Sequence, residues 1–494
     1  PLVGVGVPHP AVDAGGPGAV DLAVGVDGGP DGGPEPRRLF SVVEAEPVGR
    51  RRSHTLGHVA SPSAEADLHH PAAAIEEAGP YARPMVDRHD RHAPEGGPGP
   101  VDGEARARIA LAHDWLVGRR GGEAVLECFA RVVEEEHEPA GLYTLFDSGA
   151  GISPAIDRRR RVASPLNAVP GAAGPLRRWL LPLYPWAIGG LGASLARDHR
   201  ERPLDLLIST SSGLIKGLAP PPGVPHLCYC HAPARYLWSM QDEYTRGKGP
   251  AALARRAGFG LFTPWLRGWD RRTADRVGVF VANSTHIAGE IRRCFGREAE
   301  VLHPPVETSW FTPPEDPGSV KRGFWLAVGA LEPYKRTDLA IRAAARAGAR
   351  LVIAGTGSEE DALRALARSV GTGLVEFEGR VSNERLRELY RAADLLVFPQ
   401  IEDFGIIAVE AQACGCPVVA RRAGGAIDSV IEGRTGAFFD EPRPEAIVDA
   451  AGRVPADAAA ACRSNAERFS TSRFLAGARE LIRSVLREIG RAHV

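Results

Sequence analysis

Residues Leu395–Cys416 read LLVFPQIEDFGIIAVEAQACGC, and the interpretation of the chain turns on them. The segment opens as a short apolar strand, LLVFP, and breaks at Glu402-Asp403-Phe404-Gly405. From about Ile406 it reads as a helix, with Ile406, Ile407, Val409, Ala411 and Ala413 spread over every face. A helix that is apolar all round is normally buried, yet Glu410 sits inside this one. An unpaired buried carboxylate is costly, so Glu410 needs donors. Glu402 lies eight positions earlier, in the loop before the helix N-terminus. A strand tip therefore offers one carboxylate, then free helix amides, then a second carboxylate about one turn in. Free amides and the dipole at a helix N-terminus suit a phosphate, and a nearby carboxylate suits a sugar diol. Together they describe a sugar-nucleotide site. The plainer alternative is that both glutamates are ordinary ion-pair partners.

The spacing Glu402-x7-Glu410 after a strand resembles the signature of the retaining GT-B glycosyltransferases of family 4, and the resemblance runs from about Arg106 to the C-terminus. It implies that Glu410 holds the nucleotide ribose and Glu402 contacts the donor sugar. The amides of Phe404, Gly405 and Ile406 between them would meet the diphosphate. Three further segments, HDWLVGRRGGEAVLE, HLCYCHAPARYLW and EPYKR, are similar to those of a bacterial subgroup that includes mannosyltransferases.

Working outward, 494 residues suggest two or three domains, and a 44% hydrophobic share supports globular cores. A net charge of −1 makes no case for nucleic-acid binding. The seven cysteines are scattered, and the C-x-C pairs Cys228/Cys230 and Cys414/Cys416 stand in apolar contexts without the spacing of a zinc site. Reduced thiols in a cytoplasmic protein are the simpler reading. There is no apolar run of the length a membrane span requires.

Residues 1–105 mix Gly, Pro, Ala, His, Arg and Asp without periodicity, so a disordered or non-native extension is expected there. The first Met is Met85, which suggests that much of 1–84 lies upstream of the natural start. An N-terminal Rossmann-like acceptor domain is expected over 106–305, beginning with the strand Arg108–Trp115. Strand-like runs follow at Gly141–Phe146, Leu204–Ser211, His226–His231, Gly278–Ser284 and Ala299–His303. A Pro-rich passage assigns 306–320 to a linker. A second strand–helix series over 321–469 predicts a C-terminal Rossmann-like nucleotide-sugar domain. Residues 470–494 read as an amphipathic, Arg-rich helix able to cross back to the first domain. The expected fold is α/β, two Rossmann-like domains facing across a cleft, the GT-B layout.

Gly121-Gly122, between strand and helix, permits close backbone approach to a ligand. Lys335 and Arg336, after the first strand of the second domain, are suited to a diphosphate, Lys as a point charge and Arg as a fork. In the resembled family an arginine commonly precedes this lysine; its position here is Ala330, and Arg336 is the nearest substitute. His231, at a strand end of the first domain, is implied by the resemblance to lie at the donor sugar, although a lone histidine is more often structural. Arg120, Arg235 and Tyr236 are candidate acceptor contacts. Gly355 is expected to bound the nucleotide pocket, and Arg380 and Val381 to face the base. No Asp-x-Asp pair occurs at a strand end in 106–494, so no metal or other cofactor is expected. The stretches 176–200 and 253–272 mix Arg, Trp and Leu, as segments that lie on an anionic membrane surface do, or as core helices with solvated Arg do.

These readings predict a metal-independent hexosyltransferase that moves a hexose such as mannose from a nucleoside diphosphate sugar to a glycan or lipid-linked acceptor. It would work in cytoplasmic polysaccharide or envelope-glycan synthesis, with peripheral membrane contact. A sugar-nucleotide epimerase or hydrolase on the same fold is the enzymatic alternative. A nucleotide-sugar-binding subunit without turnover is the other, kept open by Ala330.

Overall fold

A computed structural model of the chain describes residues 106–118, 121–239, 249–316, 320, 322–371 and 373–492. The expected extension 1–105 and the candidate Arg120 lie outside the described residues.

The first sheet is built from β1 (Arg108–Leu116), β2 (Glu138–Asp147), β3 (Arg161–Ala163), β4 (Leu206–Ser211), β5 (His226–Cys230), β6 (Val279–Ala282) and β7 (Glu300–Val301). Their spatial order is β3-β2-β1-β4-β5-β6-β7, and every pairing is parallel. Strands β4 and β5 are buried along their whole length, which is why they read as continuous rather than alternating apolar runs. Only β3 has no sequence signal, because three residues in an Arg-rich stretch carry no periodicity.

The second sheet contains β8 (Trp325–Val328), β9 (Leu351–Ala354), β10 (Val375–Gly379), β11 (Leu395–Phe398), β12 (Val418–Arg421) and β13 (Gly436–Phe439). Its order is β10-β9-β8-β11-β12-β13, again parallel throughout. The order of strands reverses between β8 and β11, so the loops leaving these two strands diverge and open a crevice. Ligands of such sheets bind in the crevice at the carboxyl ends of the strands. In the first sheet the equivalent point lies between β1 and β4.

The Pro-rich passage after β7 is not a free connection. Val306 donates its N–H to the Phe469 carbonyl at 2.9 Å, and Thr471 donates back to Val306 at 3.2 Å. The outgoing and returning crossings are thus hydrogen-bonded side by side. Beyond them, Thr308 bonds Glu467 and Arg391 holds Thr312, which lays this segment on the second domain. The final helix, Thr471–Ala492, returns to the first domain. Its Phe474, Leu475, Ala478, Ile482 and Val485 join the core formed by the helix Gly121–Glu136 and strands β1, β4 and β5. Arg479 and Arg483 pair with Glu135 and Glu136 on the near rim.

Candidate active site

The helix that follows β11 spans Ile406–Ala413. Its buried face is fixed by Gln412, whose amide donates to the carbonyls of Ala408 and Ser429, and by Asn465, which donates to Gln412 Oε1 at 2.7 Å. The turn into it needs glycine: Gly405 has φ of +90°, and a Cβ there would stand 2.7 Å from the Phe398 ring. The loop is backed by Gly425, whose N–H donates to the Glu402 carbonyl at 2.9 Å and whose missing Cβ lets it lie against Phe404. Phe404 itself is buried, stacked on His303 at 5.4 Å and packed on Phe469. Its contribution to the site is therefore its backbone alone.

Glu402 and Glu410 occupy different surroundings. Glu402 forms an ion pair with Lys335, which comes from the loop after β8, so the switch point brings these two loops together. Glu410 lies one turn into the helix and accepts from the Tyr390 hydroxyl at 3.1 Å. Burial pushes its carboxyl up from 4.5 to about 7, against the opposing effect of the Tyr390 hydrogen bond. Lys335 thus meets one carboxylate, while the other is held ready for hydroxyl donors. Arg336 adopts φ of +54° and its guanidinium turns to Asp338, with Nε to Oδ1 at 3.0 Å. It does not join Lys335 at Glu402.

The loop after β8 is also packed tightly against its neighbour. A Cβ on Gly355 would lie 1.9 Å from the Gly329 carbonyl oxygen, and the Gly355 N–H donates to the Gly379 carbonyl at 2.7 Å. Gly355 therefore closes the floor at the ends of β8, β9 and β10. Arg380 is exposed beside it, and Val381 packs half-buried on the core of the second domain.

His231 stands just beyond β5, on the first domain. Its N–H donates to the Ser211 carbonyl and its carbonyl accepts from the Asn283 side chain, which fixes the backbone. The ring packs edge-on to Tyr229 at 5.1 Å. Among the described residues its buried Nε2 has no hydrogen-bonding partner. Burial, with help from His113 and Arg235, pushes the imidazole down to about 3, so the ring is neutral near pH 7. A Cβ on Gly122 would lie 3.7 Å from His231 Nε2 and 3.6 Å from His113 Cε1, which places both imidazoles over the start of the helix Gly121–Glu136. His113 is held by Thr210 at 2.6 Å and faces the buried Glu123 at 3.8 Å. Its neighbour Asp114 is a structural clasp, accepting the N–H groups of Ser212, Gly213 and Ile215.

The two domains meet at these loops. A Cβ on Gly121 would be 3.1 Å from Ile406 Cδ1, so the two helix starts touch. Arg235 crosses to Asp403, and Ser284 Oγ donates to the Asp403 carbonyl. Thr285 donates its N–H to Asp428 at 2.7 Å. Tyr236, by contrast, is buried in the first-domain core. Asp403, Tyr390, Ser284 and Asp428 carry no motif of their own in the sequence. Only Asp403 has a cue, its place between Glu402 and Gly405. Among the described residues no group of three or more His, Cys, Asp and Glu side chains is placed to hold a metal ion.

Two family profiles match the chain, one on each domain: Glycosyltransferase Family 4 over residues 149–310 and Glycosyl transferases group 1 over 313–469. The chain belongs to the GT-B glycosyltransferases of family 4. It is 36% identical over 211 residues to the D-inositol 3-phosphate glycosyltransferase of Mycobacteroides abscessus, covering 39% of this chain and 47% of that one. To the protein of the same name from Acidothermus cellulolyticus it is 37% identical over 207 residues, 37% of this chain and 46% of that one. The chain spans about half the length of the curated relatives it matches. Among solved structures, Anabaena HepE in complex with UDP superposes with a TM-score of 0.56 at 16% identity, over 76% of this chain and all of that one. Sucrose-phosphate synthase from Thermosynechococcus elongatus gives 0.58 at 18% identity, over 78% of this chain and all of that one. At such identities the likeness is one of fold, and it establishes the GT-B architecture of this family-4 chain.

Proposed function

We propose that this chain transfers a hexose from a nucleoside diphosphate sugar to a glycan or lipid-linked acceptor, with retention of anomeric configuration. The observation that carries the reading is the pairing of Lys335 with Glu402 beside the start of the helix Ile406–Ala413, one turn from Glu410 and opposite His231. In this assignment Glu410 accepts from the ribose hydroxyls. Lys335 and the amides at Gly405 and Ile406 neutralise the diphosphate and stabilise it as it leaves. Glu402 and the neutral His231 hold sugar hydroxyls from opposite domains. Front-face attack of the acceptor follows from the family resemblance, the departing phosphate oxygen accepting the acceptor proton. No metal enters this account, since cations and amides serve the diphosphate.

Mannose is favoured as the sugar by the sequence segments shared with the bacterial subgroup; HepE is a UDP complex and the curated relatives are named for inositol 3-phosphate. A lipid-linked acceptor at the cytoplasmic membrane face is supported by Trp179 and Trp186, each 63% exposed, and by Leu261 at 71%, on segments whose opposite faces are buried. No helix among the described residues is long and apolar enough to cross a membrane.

The test is thermal stabilisation by a panel of UDP-, GDP- and ADP-sugars, followed by transfer assays in excess chelator. Ligand at about 100 times its Kd stabilises a native state by roughly 2.7 kcal/mol, enough to rank donors. The reading fails if no sugar nucleotide stabilises the chain. Its metal-free part fails if chelation abolishes transfer and Mn²⁺ restores it. Retention of vesicles containing anionic lipid, but not neutral ones, tests the membrane contact.

A further inference from the structure

Two ion pairs stand side by side at the mouth of the cleft. Glu402 is paired with Lys335, and its neighbour Asp403 is paired with Arg235. The carboxylates are consecutive and immediately precede the helix N-terminus at Ile406, but the cations come from opposite domains. Lys335 belongs to the loop after β8, and Arg235 begins the short helix Arg235–Trp238 that follows β5 and His231.

Charge makes this arrangement informative. A nucleoside diphosphate brings two to three negative charges to a loop that already carries Glu402 and Asp403. Attraction requires that both carboxylates be neutralised and that cationic donors remain. On the β8 tip, Ala330 is uncharged and Arg336 is turned to Asp338, so Lys335 alone of those residues reaches the cluster. Arg235 supplies the second cation. Its bond to Asp403 uses Nη2, and among the described residues Nε and Nη1 make no hydrogen bond. The side chain is 36% exposed. Burial acts to lower its pKa, but the charge and hydrogen bond of Asp403, with the charge of Glu402 behind it, outweigh it, which places Arg235 within electrostatic reach of the Lys335 cluster. Exchanging Asp403 for a phosphate frees Nη2, which with Nε or with Nη1 then forms a planar two-donor edge that matches a phosphate bidentately.

Resting on the sugar-nucleotide reading above, we propose that Arg235 is a diphosphate-binding residue delivered from the first domain and held on Asp403 until the nucleotide arrives. The donor phosphates would then be gripped by one cation from each domain. Asp403 competes with the phosphate for the guanidinium. That competition gives the two partners opposite signs on mutation, which a purely structural bridge between domains does not.

The experiment is calorimetric titration of the full chain, R235A, R235K and D403N with UDP, GDP and the corresponding nucleosides, alongside melting curves for each variant. R235A should weaken nucleoside diphosphate binding by about tenfold or more while leaving nucleoside binding unchanged. R235K, which retains the charge beside Asp403, should recover part of the loss. D403N should bind the diphosphate several-fold more tightly than the parent chain. Unchanged affinity in R235A and R235K overturns the proposal, as does D403N weakening diphosphate binding to the same extent as R235A, which would make the pair a strut. If the parent chain binds no nucleoside diphosphate at all, the sugar-nucleotide reading falls and this assignment with it. If the parent binds and R235A binds equally, only the role of Arg235 is refuted.

Discussion

Glu410→Gln tests the two opposing consequences of placing a carboxylate in an apolar helix. Among the described residues only the Tyr390 hydroxyl donates to Glu410, and burial pushes its carboxyl from 4.5 to about 7. The folded state therefore holds this proton more tightly than the unfolded chain does. The stabilisation that follows is fully present below the unfolded value of 4.5 and is lost as pH rises through about 7. A shift of about 2.5 units at ~1.4 kcal/mol each is about 3 kcal/mol. Water at the cleft side of the half-buried side chain reduces this to about 2 kcal/mol. Gln has the shape of the protonated acid and keeps an acceptor for Tyr390 without the charge. Unliganded Glu410→Gln should therefore be more stable than the parent by about 2 kcal/mol at pH 8.5 and nearly equal at pH 5. Saturating nucleotide removes most or all of this advantage, because the ribose loses a charge-assisted bond of ~1.5–3 kcal/mol, or roughly tenfold to a hundredfold in affinity. Denaturant titrations at pH 5, 7 and 8.5, with and without nucleoside diphosphate, read both effects. A variant less stable than the parent at pH 8.5 without ligand would refute the burial argument. Equal nucleotide affinities at pH 8.5 would refute the ribose assignment.

His231→Ala should leave nucleoside diphosphate affinity nearly unchanged yet lower transfer about 10²-fold or more, as a positioned group at a reacting centre does; loss of nucleotide affinity instead would move His231 to the phosphates. Glu402→Gln should also lose transfer, but it releases Lys335, so nucleoside diphosphate titration should show tighter binding, and weaker binding would contradict the pairing. Phe474→Ala empties a site where the final helix meets Phe129 and Tyr229 at 5.6 and 5.8 Å, so chemical denaturation should show a loss of ~3–5 kcal/mol. A loss below about 1 kcal/mol would mean that the final helix is not part of the first-domain core.

Much of this protein was readable from local sequence. Buried parallel strands announce themselves as short apolar runs, and of the thirteen strands among the described residues twelve lie where the sequence has strand-like runs. The all-round apolar helix at Ile406–Ala413, the Gly405 turn before it and the two glutamates eight positions apart follow from periodicity and backbone sterics within about twenty residues. Tertiary structure decided what those glutamates meet. Tyr390 reaches Glu410 from another helix, and Arg235 reaches Asp403 across 168 positions and a domain boundary. Phe404 turns from the site into a stack with His303, and Arg336 is drawn to Asp338 rather than to Glu402. The physical reason is one of range. Burial periodicity and turn geometry are written in neighbouring residues, whereas the partner of a charge is selected by which loops the sheet order and the paired interdomain crossings bring to the same few ångströms.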